Sequence, residues 1–377
     1  MSSPLEVISV GTPAELDRFI LLPARLFAAD PNFVPQLVME RRDALSPKKN
    51  PYFAHAEAQF FIARKDGRDV GRISAQIDRM VKDPAVGHFG MLAAENDPAV
   101  FDALFAAAEA WLKARGKTRV MGPFNLSINE ETGLLVDGFD TPPMLLMGHD
   151  PAYAGPRVEA QGYVKAKDVF AYLYDINADF PRAAQRMIDR HKPAAMRVRQ
   201  LDMKRYQEEF DTVTEIFNDA WSQNWGFIPF TEAEIAHMAK AMKPLIDPEW
   251  VAIVEMDGKA VGFGITLPNL NEMIRDFDGK LLPFNWVKLL WRLKRGARTA
   301  RVPLMGIRRS FSGAGLIGGL APYLVVDAMR KAVRKKGVTH VELSWILEDN
   351  GPMNHMIQAL GSKRYKTYRV YEKSLAA

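Results

Sequence analysis

The chain contains no cysteine among its 377 residues. Disulfides, thiolate metal sites and a cysteine acyl-enzyme are thereby excluded. Histidine is scarce: the seven, at 55, 88, 149, 191, 237, 340 and 355, form no close ligand pair, so no metal is expected. Long apolar runs are missing too. The longest, "LIGGLAPYLVV" at 316–326, is too short to span a bilayer. The start, "MSSPLEVISV", has no basic head followed by an apolar stretch, so no secretory leader is expected. No helix-like segment carries the dense glutamates needed to hold several magnesium ions, which argues against a nucleotide pyrophosphohydrolase. Low-complexity tracts are absent, and 48% of residues are hydrophobic, enough for a large core and two domains.

Acid is nearly missing from one window. Between 280 and 336 there are fourteen basic residues and a single acid, Asp327, although the whole chain carries only +5. Such a local excess points to an anionic partner. Within the window, "FNWVKLLWRLKRGARTAR" at 284–301 places tryptophans and leucines among cations. At ~100° per residue for a helix, Lys288, Arg292 and Arg295 share a face with Asn285, and Trp286, Leu289, Leu290 and Leu293 lie broadly opposite. Trp291 falls on a flank. That pattern suits a helix lying in an anionic membrane surface, with Trp286, Leu290 and Trp291 as the inserted residues. The competing reading packs the apolar face on the protein's own core.

The chain repeats itself. "DGRDVGRISA" at 66–75 matches "DGKAVGFGIT" at 257–266, each an Asp-Gly hairpin turn with a following strand. "NFVPQL" at 32–37 matches "GFIPFT" at 226–231, "KTRVMGPFNLSIN" at 117–129 matches "VTHVELSWILEDN" at 338–350, and "GYVKAKDVFAY" at 162–172 matches "GSKRYKTYRVY" at 361–371. Four blocks in the same order predict a duplicated α/β domain: 1–175, a linker helix at 176–195, and 196–377. Helices are expected at 97–117, led by Asp97 or Pro98, and at 321–337, with Pro322 near the first turn. Gly67 lies 62 residues before Asn129, whereas Gly258 lies 92 before Asn350, so the second repeat holds an insert, at 268–302.

A hairpin, a strand, a glycine-bearing turn, a helix, another strand and an Asn-led short helix resemble the GNAT acyltransferase superfamily. "GRISAQID", "GPFNLSINEETGLLVDGFDTPP" and "ELSWILEDN" resemble a bacterial double-GNAT family similar to the bacterial ceramide synthases. The resemblance covers most of the chain, taken twice. It implies tandem GNAT-like domains, each a mixed, mainly antiparallel sheet flanked by helices. It further implies acyl-CoA as co-substrate with no permanently bound cofactor, a long-chain lipid amine as acceptor, and a cytoplasmic protein peripheral at the inner face of the cytoplasmic membrane. Nucleic acid is not an expected partner.

In GNAT proteins the turn before the main helix cradles the CoA pyrophosphate, because glycines let the backbone approach and helix N-terminal amides point at the anion. The corresponding stretch is "GIRRSFSGAGLIGG" at 306–319, with Arg308, Arg309, Ser310 and Ser312 beside Gly313, Ala314 and Gly315. Ser310 stands where the superfamily pattern has Arg or Gln. The first repeat has "HFGMLAAENDP" at 88–98, with two acids and no paired glycines, so a single CoA site is expected, in the second repeat. Asn350 corresponds to a residue near the pantetheine arm, and a helix cap is its alternative role.

Amide formation from a thioester requires a neutral amine, a held oxyanion and a proton for the thiolate. In "THVELSWILEDN", strand alternation sets His340, Glu342 and Ser344 on one face. Glu342 is the first candidate base, directly or through a water, against a salt bridge to the nearby basic helix. Glu348, Asp349 and His355 are the alternatives, the two acids also suiting helix caps. The tyrosine that serves many GNAT enzymes as general acid is replaced by Ile357 and Val158. Tyr365, Tyr368 or Tyr371 is the substitute, against sheet packing. His55, beside an apolar strand, is a candidate for the acceptor wall or a core histidine. The leading function is an acyl-CoA-dependent N-acyltransferase acting on a sphingoid-type lipid amine. N-acetyl transfer to another amine and non-catalytic lipid or CoA binding are the alternatives. An aminoacyl-tRNA-dependent ligase is disfavoured, because the insert is short and apolar rather than a long polar helical arm.

Overall fold

The computed structural model describes residues 5–376 apart from 192, 313 and 314. Its strands, in chain order, are β1 (Glu6–Ser9), β2 (Ala56–Lys65), β3 (Arg68–Asp78), β4 (Val86–Ala94), β5 (Arg119–Gly122), β6 (Leu134–Asp137), β7 (Val164–Asp175), β8 (Met196–Gln200), β9 (Val251–Met256), β10 (Lys259–Pro268), β11 (Thr299–Ile307), β12 (His340–Leu347) and β13 (Lys363–Ser374). The chain forms two compact units. One comprises Met1–Phe170, Met273–Trp291 and Tyr365–Ala377; the other comprises Ala171–Glu272 and Arg292–Arg364. These units do not coincide with the ranges 1–175 and 196–377. The last strand belongs to the first unit because β13 pairs antiparallel there with β5 and β6. Part of the insert, Met273–Trp291, belongs there as well.

The first unit orders its strands β1-β2-β3-β4-β5-β13, with only β4 and β5 parallel. The second runs β12-β11-β10-β9-β8, with only β11 and β12 parallel. Each unit has the same hairpin at its centre. Asp66–Gly67 and Asp257–Gly258 both adopt positive φ, at 51° and 74° and at 50° and 76°, the left-handed pair of a type I′ turn. The repeated hairpin is thus visible in the backbone of both units. Packing fills in behind it: Val70, Ile73 and Ala75 of β3 bury against Leu104, Phe105 and Ala108 of the helix Pro98–Lys113. Asp97 caps that helix, accepting from the Ala99 N–H at 3.0 Å. The linker range holds a helix over Arg182–His191.

The counterpart helix in the second unit spans Gly315–Lys335 and therefore starts earlier than Pro322, which lies in its interior. A proline there removes one helical hydrogen bond. The helix nonetheless continues, held by Leu320, Ala321, Leu324 and Val325, all buried. Among the described residues no helix is long and apolar enough to cross a membrane.

Candidate active site

The second unit opens between its two parallel strands. Residues Thr299–Val302 of β11 pair with His340–Leu343 of β12, and the pairing stops there. The next residue on β11 is Pro303, which has no N–H to offer a ladder. From this point both strands line a cavity of about 620 Å³, with Pro303, Met305 and Ile307 on one wall and Ser344–Leu347 on the other.

The cavity reaches both faces of the sheet. Consecutive strand residues point to opposite faces. A Cβ at Gly264 would meet Val325 and Met329 of the helix Gly315–Lys335. A Cβ at Gly306, which pairs with Phe263, would meet Ala220 of the helix Tyr206–Trp221. The two helices therefore cover opposite faces. Yet Ala220 and Trp221 from one, and Val326 and Met329 from the other, line the same cavity. The opening between the strands is a passage through the sheet. Trp221 borders it with its indole N–H donating to the Met305 carbonyl at 3.1 Å and its ring edge-on to Trp345 at 5.6 Å.

Most of the lining is apolar. Its polar side chains include Asn224, Ser312, Ser344, Asn350 and His355. Ser344 leads to the buried charge. Its hydroxyl donates to Glu342 Oε1 at 2.5 Å and accepts from Arg301 Nε at 2.8 Å. Arg301 and Glu342 are register neighbours on β11 and β12, 3.5 Å apart as an ion pair. All three side chains are buried, Glu342 completely. The alternative reading of Glu342 paired it with the basic helix; the ion pair it makes is with the arginine of the adjacent strand. Glu342 does not line the cavity and meets it through Ser344.

The other candidates divide. Asn350 is the N-cap of the helix Gly351–Ala359, accepting from the Met353 N–H at 3.2 Å, and also lines the cavity. His355 lines it from the same helix and is exposed. Glu348 and Asp349 occupy the turn between β12 and that helix, outside the lining. Arg308 is drawn away: its guanidinium donates to Glu215 at 2.9 Å and to the Ala260 carbonyl at 3.0 Å. The backbone N–H of Arg309 donates to Asp219 at 2.7 Å and its side chain to Ser222 at 3.3 Å. Arg309–Ser312, read as part of a loop, form a short helix; Ser310 is exposed, and Ser312 lines the cavity. Gly313 and Ala314 lie outside the described residues, and Gly315 starts the long helix.

Other candidates sit in the first unit. Tyr368 is fully buried within β13. The His55 ring lies 2.9 Å from the Asp78 carboxylate and stacks edge-on to Tyr52 at 5.3 Å, a built-in structural partnership. The insert helix Asn285–Arg295 has no buried residue. Asn285, Leu289, Arg292 and Leu293 form its half-buried side, whereas Trp286, Val287, Lys288, Leu290, Trp291, Lys294 and Arg295 are exposed. Cations and apolar residues are thus exposed alike, and the half-buried side holds both kinds as well.

The matching place in the first unit is closed. After β4 and β5 pair through His88 and Met121, Phe124 continues the contact, its N–H donating to the Phe89 carbonyl at 2.8 Å. Gln76 holds the Phe124 carbonyl at 2.6 Å, and a Cβ at Gly90 would lie 1.8 Å from that oxygen. The glycine is needed for this closure. Sequence reasoning missed Trp221 and Arg301. Nothing local marks Trp221, and Arg301 was counted only as one cation of the basic stretch.

No family model matches the chain. It is 57% identical over 379 aligned residues to the bacterial ceramide synthase of Caulobacter vibrioides, covering 99% of this chain and 98% of that protein. It is 43% identical to protein YghO of Escherichia coli, covering 96% and 93%. Among solved structures, a tandem GNAT protein from the clavulanic acid biosynthesis pathway superposes with a TM-score of 0.58 at 13% identity, over 99% of both chains. A GCN5-related N-acetyltransferase from Sphaerobacter thermophilus superposes with a TM-score of 0.54 at 16% identity, over 98% and 96%. These structures share the tandem GNAT fold along the whole length.

Proposed function

The chain belongs to the bacterial ceramide synthase family and is an N-acyltransferase; we propose that it moves a fatty acyl group from acyl-CoA to the amine of a sphingoid-type lipid. Acyl-CoA enters as co-substrate, and no cofactor stays bound. In this reading the protein is cytoplasmic, works at the inner face of the cytoplasmic membrane, and belongs to sphingolipid biosynthesis. The observation that carries it is the passage through the sheet of the second unit. Its largely apolar walls suit the pantetheine arm and an acyl chain, and its two mouths let donor and acceptor approach from opposite faces.

The chemistry follows from the residues at that passage. The amine nitrogen forms a bond to the thioester carbon, the carbon–sulfur bond breaks, and CoA leaves as the thiol. Glu342 is the proposed base, acting through Ser344. The amine proton passes to the Ser344 oxygen as the hydroxyl's own proton passes to Glu342 Oε1, and the same relay run in reverse returns that proton to the departing thiolate, leaving Glu342 ionised again. Asn350, while capping its helix, borders the pantetheine. In this reading the CoA phosphates dock at Ser312, which lines the cavity, and at the N-terminal end of the helix Gly315–Lys335.

The test is release of free thiol from palmitoyl-CoA with sphinganine as acceptor, the amide identified by mass spectrometry, together with calorimetric titration of CoA. Amine-dependent thiol release and one CoA per chain are expected. Turnover of acetyl-CoA alone would replace the fatty acyl donor by acetyl. CoA binding without turnover would remove the catalytic assignment, and two equal CoA sites would contradict the closed first unit.

A further inference from the structure

Exposed large hydrophobic residues are concentrated in one place. Among the described residues eleven stand out to solvent, and six of them, Leu282, Phe284, Trp286, Val287, Leu290 and Trp291, fall within ten positions. Scattered exposed apolar residues are ordinary, but a contiguous group marks a contact surface. Phe284 is the most open, at 77%.

The group is held in shape from below. Met273, Ile274 and Phe277 are buried and fix the base of the segment within the first unit. The Gly279 carbonyl accepts from the Val38 N–H at 2.9 Å, and the Arg275 guanidinium donates to the Pro31 carbonyl. Above that base the chain turns outward. Asn285 braces the turn through the Lys280 carbonyl at 2.7 Å, and the Trp286 indole donates to the Pro283 carbonyl at 2.9 Å. An apolar tip on a fixed stalk is presented to solvent, where its hydration is unfavourable.

Charge selects what covers it. Residues 280–301 contain no acid, and Lys294 and Arg295 are exposed on the helix that carries part of the tip, while Lys288 pairs with Asp276 at 3.2 Å beside the base of the segment. Aromatic and aliphatic side chains surrounded by cations match the interface of an anionic bilayer, where rings enter the acyl boundary and amines meet phosphate. We propose that Leu282–Trp291, with the cations of the same helix, is a docking device that seats the protein on an anionic lipid surface without crossing it. The choice of lipid acceptor rests on the acyltransfer reading above; the docking itself does not.

Co-sedimentation of the full chain with vesicles tests it. The unmodified protein is expected to pellet with vesicles of phosphatidylcholine and phosphatidylglycerol in equal parts, less with phosphatidylcholine alone, and less as salt rises. Leu282→Glu with Phe284→Glu should weaken partitioning about a hundredfold, the loss expected when two inserted apolar side chains are removed. Lys294→Glu with Arg295→Glu should weaken it on phosphatidylglycerol vesicles and leave phosphatidylcholine partitioning little changed. If the unmodified protein stays in the supernatant, the inference is wrong. It is equally wrong if the apolar changes convert a dimer to a monomer in analytical ultracentrifugation and leave vesicle binding intact, since a second copy then covers the patch. Thiol release in vesicle-free buffer with a short-chain soluble amine reads the chemistry separately. Docking without thiol release would count against the acyltransfer reading, and thiol release without docking against this one.

Discussion

Replacing Glu342 with Gln keeps the volume and removes the proton acceptor. Two consequences follow from its surroundings, and they differ in kind. If Glu342 receives the amine proton through Ser344, kcat falls by ~10²–10⁴-fold, a barrier increase of about 3–5 kcal/mol. Acyl-CoA affinity changes little, because the carboxylate does not line the cavity. The second consequence is structural. Arg301, 5% exposed at its side chain, loses an ionic partner at 3.5 Å. Breaking a buried pair costs ~3–5 kcal/mol, and the lower end applies, since the guanidinium keeps the Ser344 hydroxyl and carbonyl. For a unit of this size that is a fall in Tm of roughly 6–12 °C. The effects are separated by the double variant Arg301→Met with Glu342→Met. Replacing both charges by apolar groups restores most of the stability, and turnover stays lost. Ser344→Ala should lower kcat with the ion pair intact. The assay is steady-state thiol release, with thermal unfolding followed in parallel. The reasoning fails if Glu342→Gln retains kcat while His355→Ala abolishes it, or if the double variant regains turnover along with stability.

Two further outcomes are expected. His88 is buried in the first unit and packed edge-on against Phe124 at 4.9 Å, and burial, with Lys117 adding to it, pushes its pKa down to about 4. Between that value and the ordinary 6.5 the unfolded chain binds the extra proton, so stability falls as pH drops through this window, by about 3 kcal/mol in all. Urea unfolding of His88→Leu should show a shallower loss over the same pH range, and parallel curves would remove His88 as the cause. At Asn350, Ala should cost ~1 kcal/mol by deleting the cap. Asp keeps the cap acceptor but places a charge in the cavity, so stability should hold while calorimetry shows weaker acyl-CoA binding; unchanged binding would place the pantetheine elsewhere.

The sequence by itself determined the features that depend on neighbours along the chain. Asp-Gly pairs require the left-handed turn geometry whatever surrounds them, so Asp66–Gly67 and Asp257–Gly258 announced both hairpins and the duplication. Alternation placed Glu342 and Ser344 on one side of β12, and an Asn before Gly351 announced its helix cap. The insert was legible as a difference in spacing, and its strands do end at Pro268 and resume at Thr299. What remained depends on which distant segments meet. Pro322 was misread as a helix start because local propensity cannot register the buried contacts that carry the helix through it. The ion-pair alternative for Glu342 pointed to the basic helix, because Arg301 becomes its neighbour only when β11 and β12 pair. The composition of 284–295 fitted a buried and an exposed face equally well, and only packing left Trp286, Leu290 and Trp291 outside. The final strand joins the first unit because hydrogen bonds to β5 and β6, far away in the chain, are satisfied there. Pairing across long separations is chosen by the completed set of backbone bonds and buried side chains, and no local window of sequence contains it.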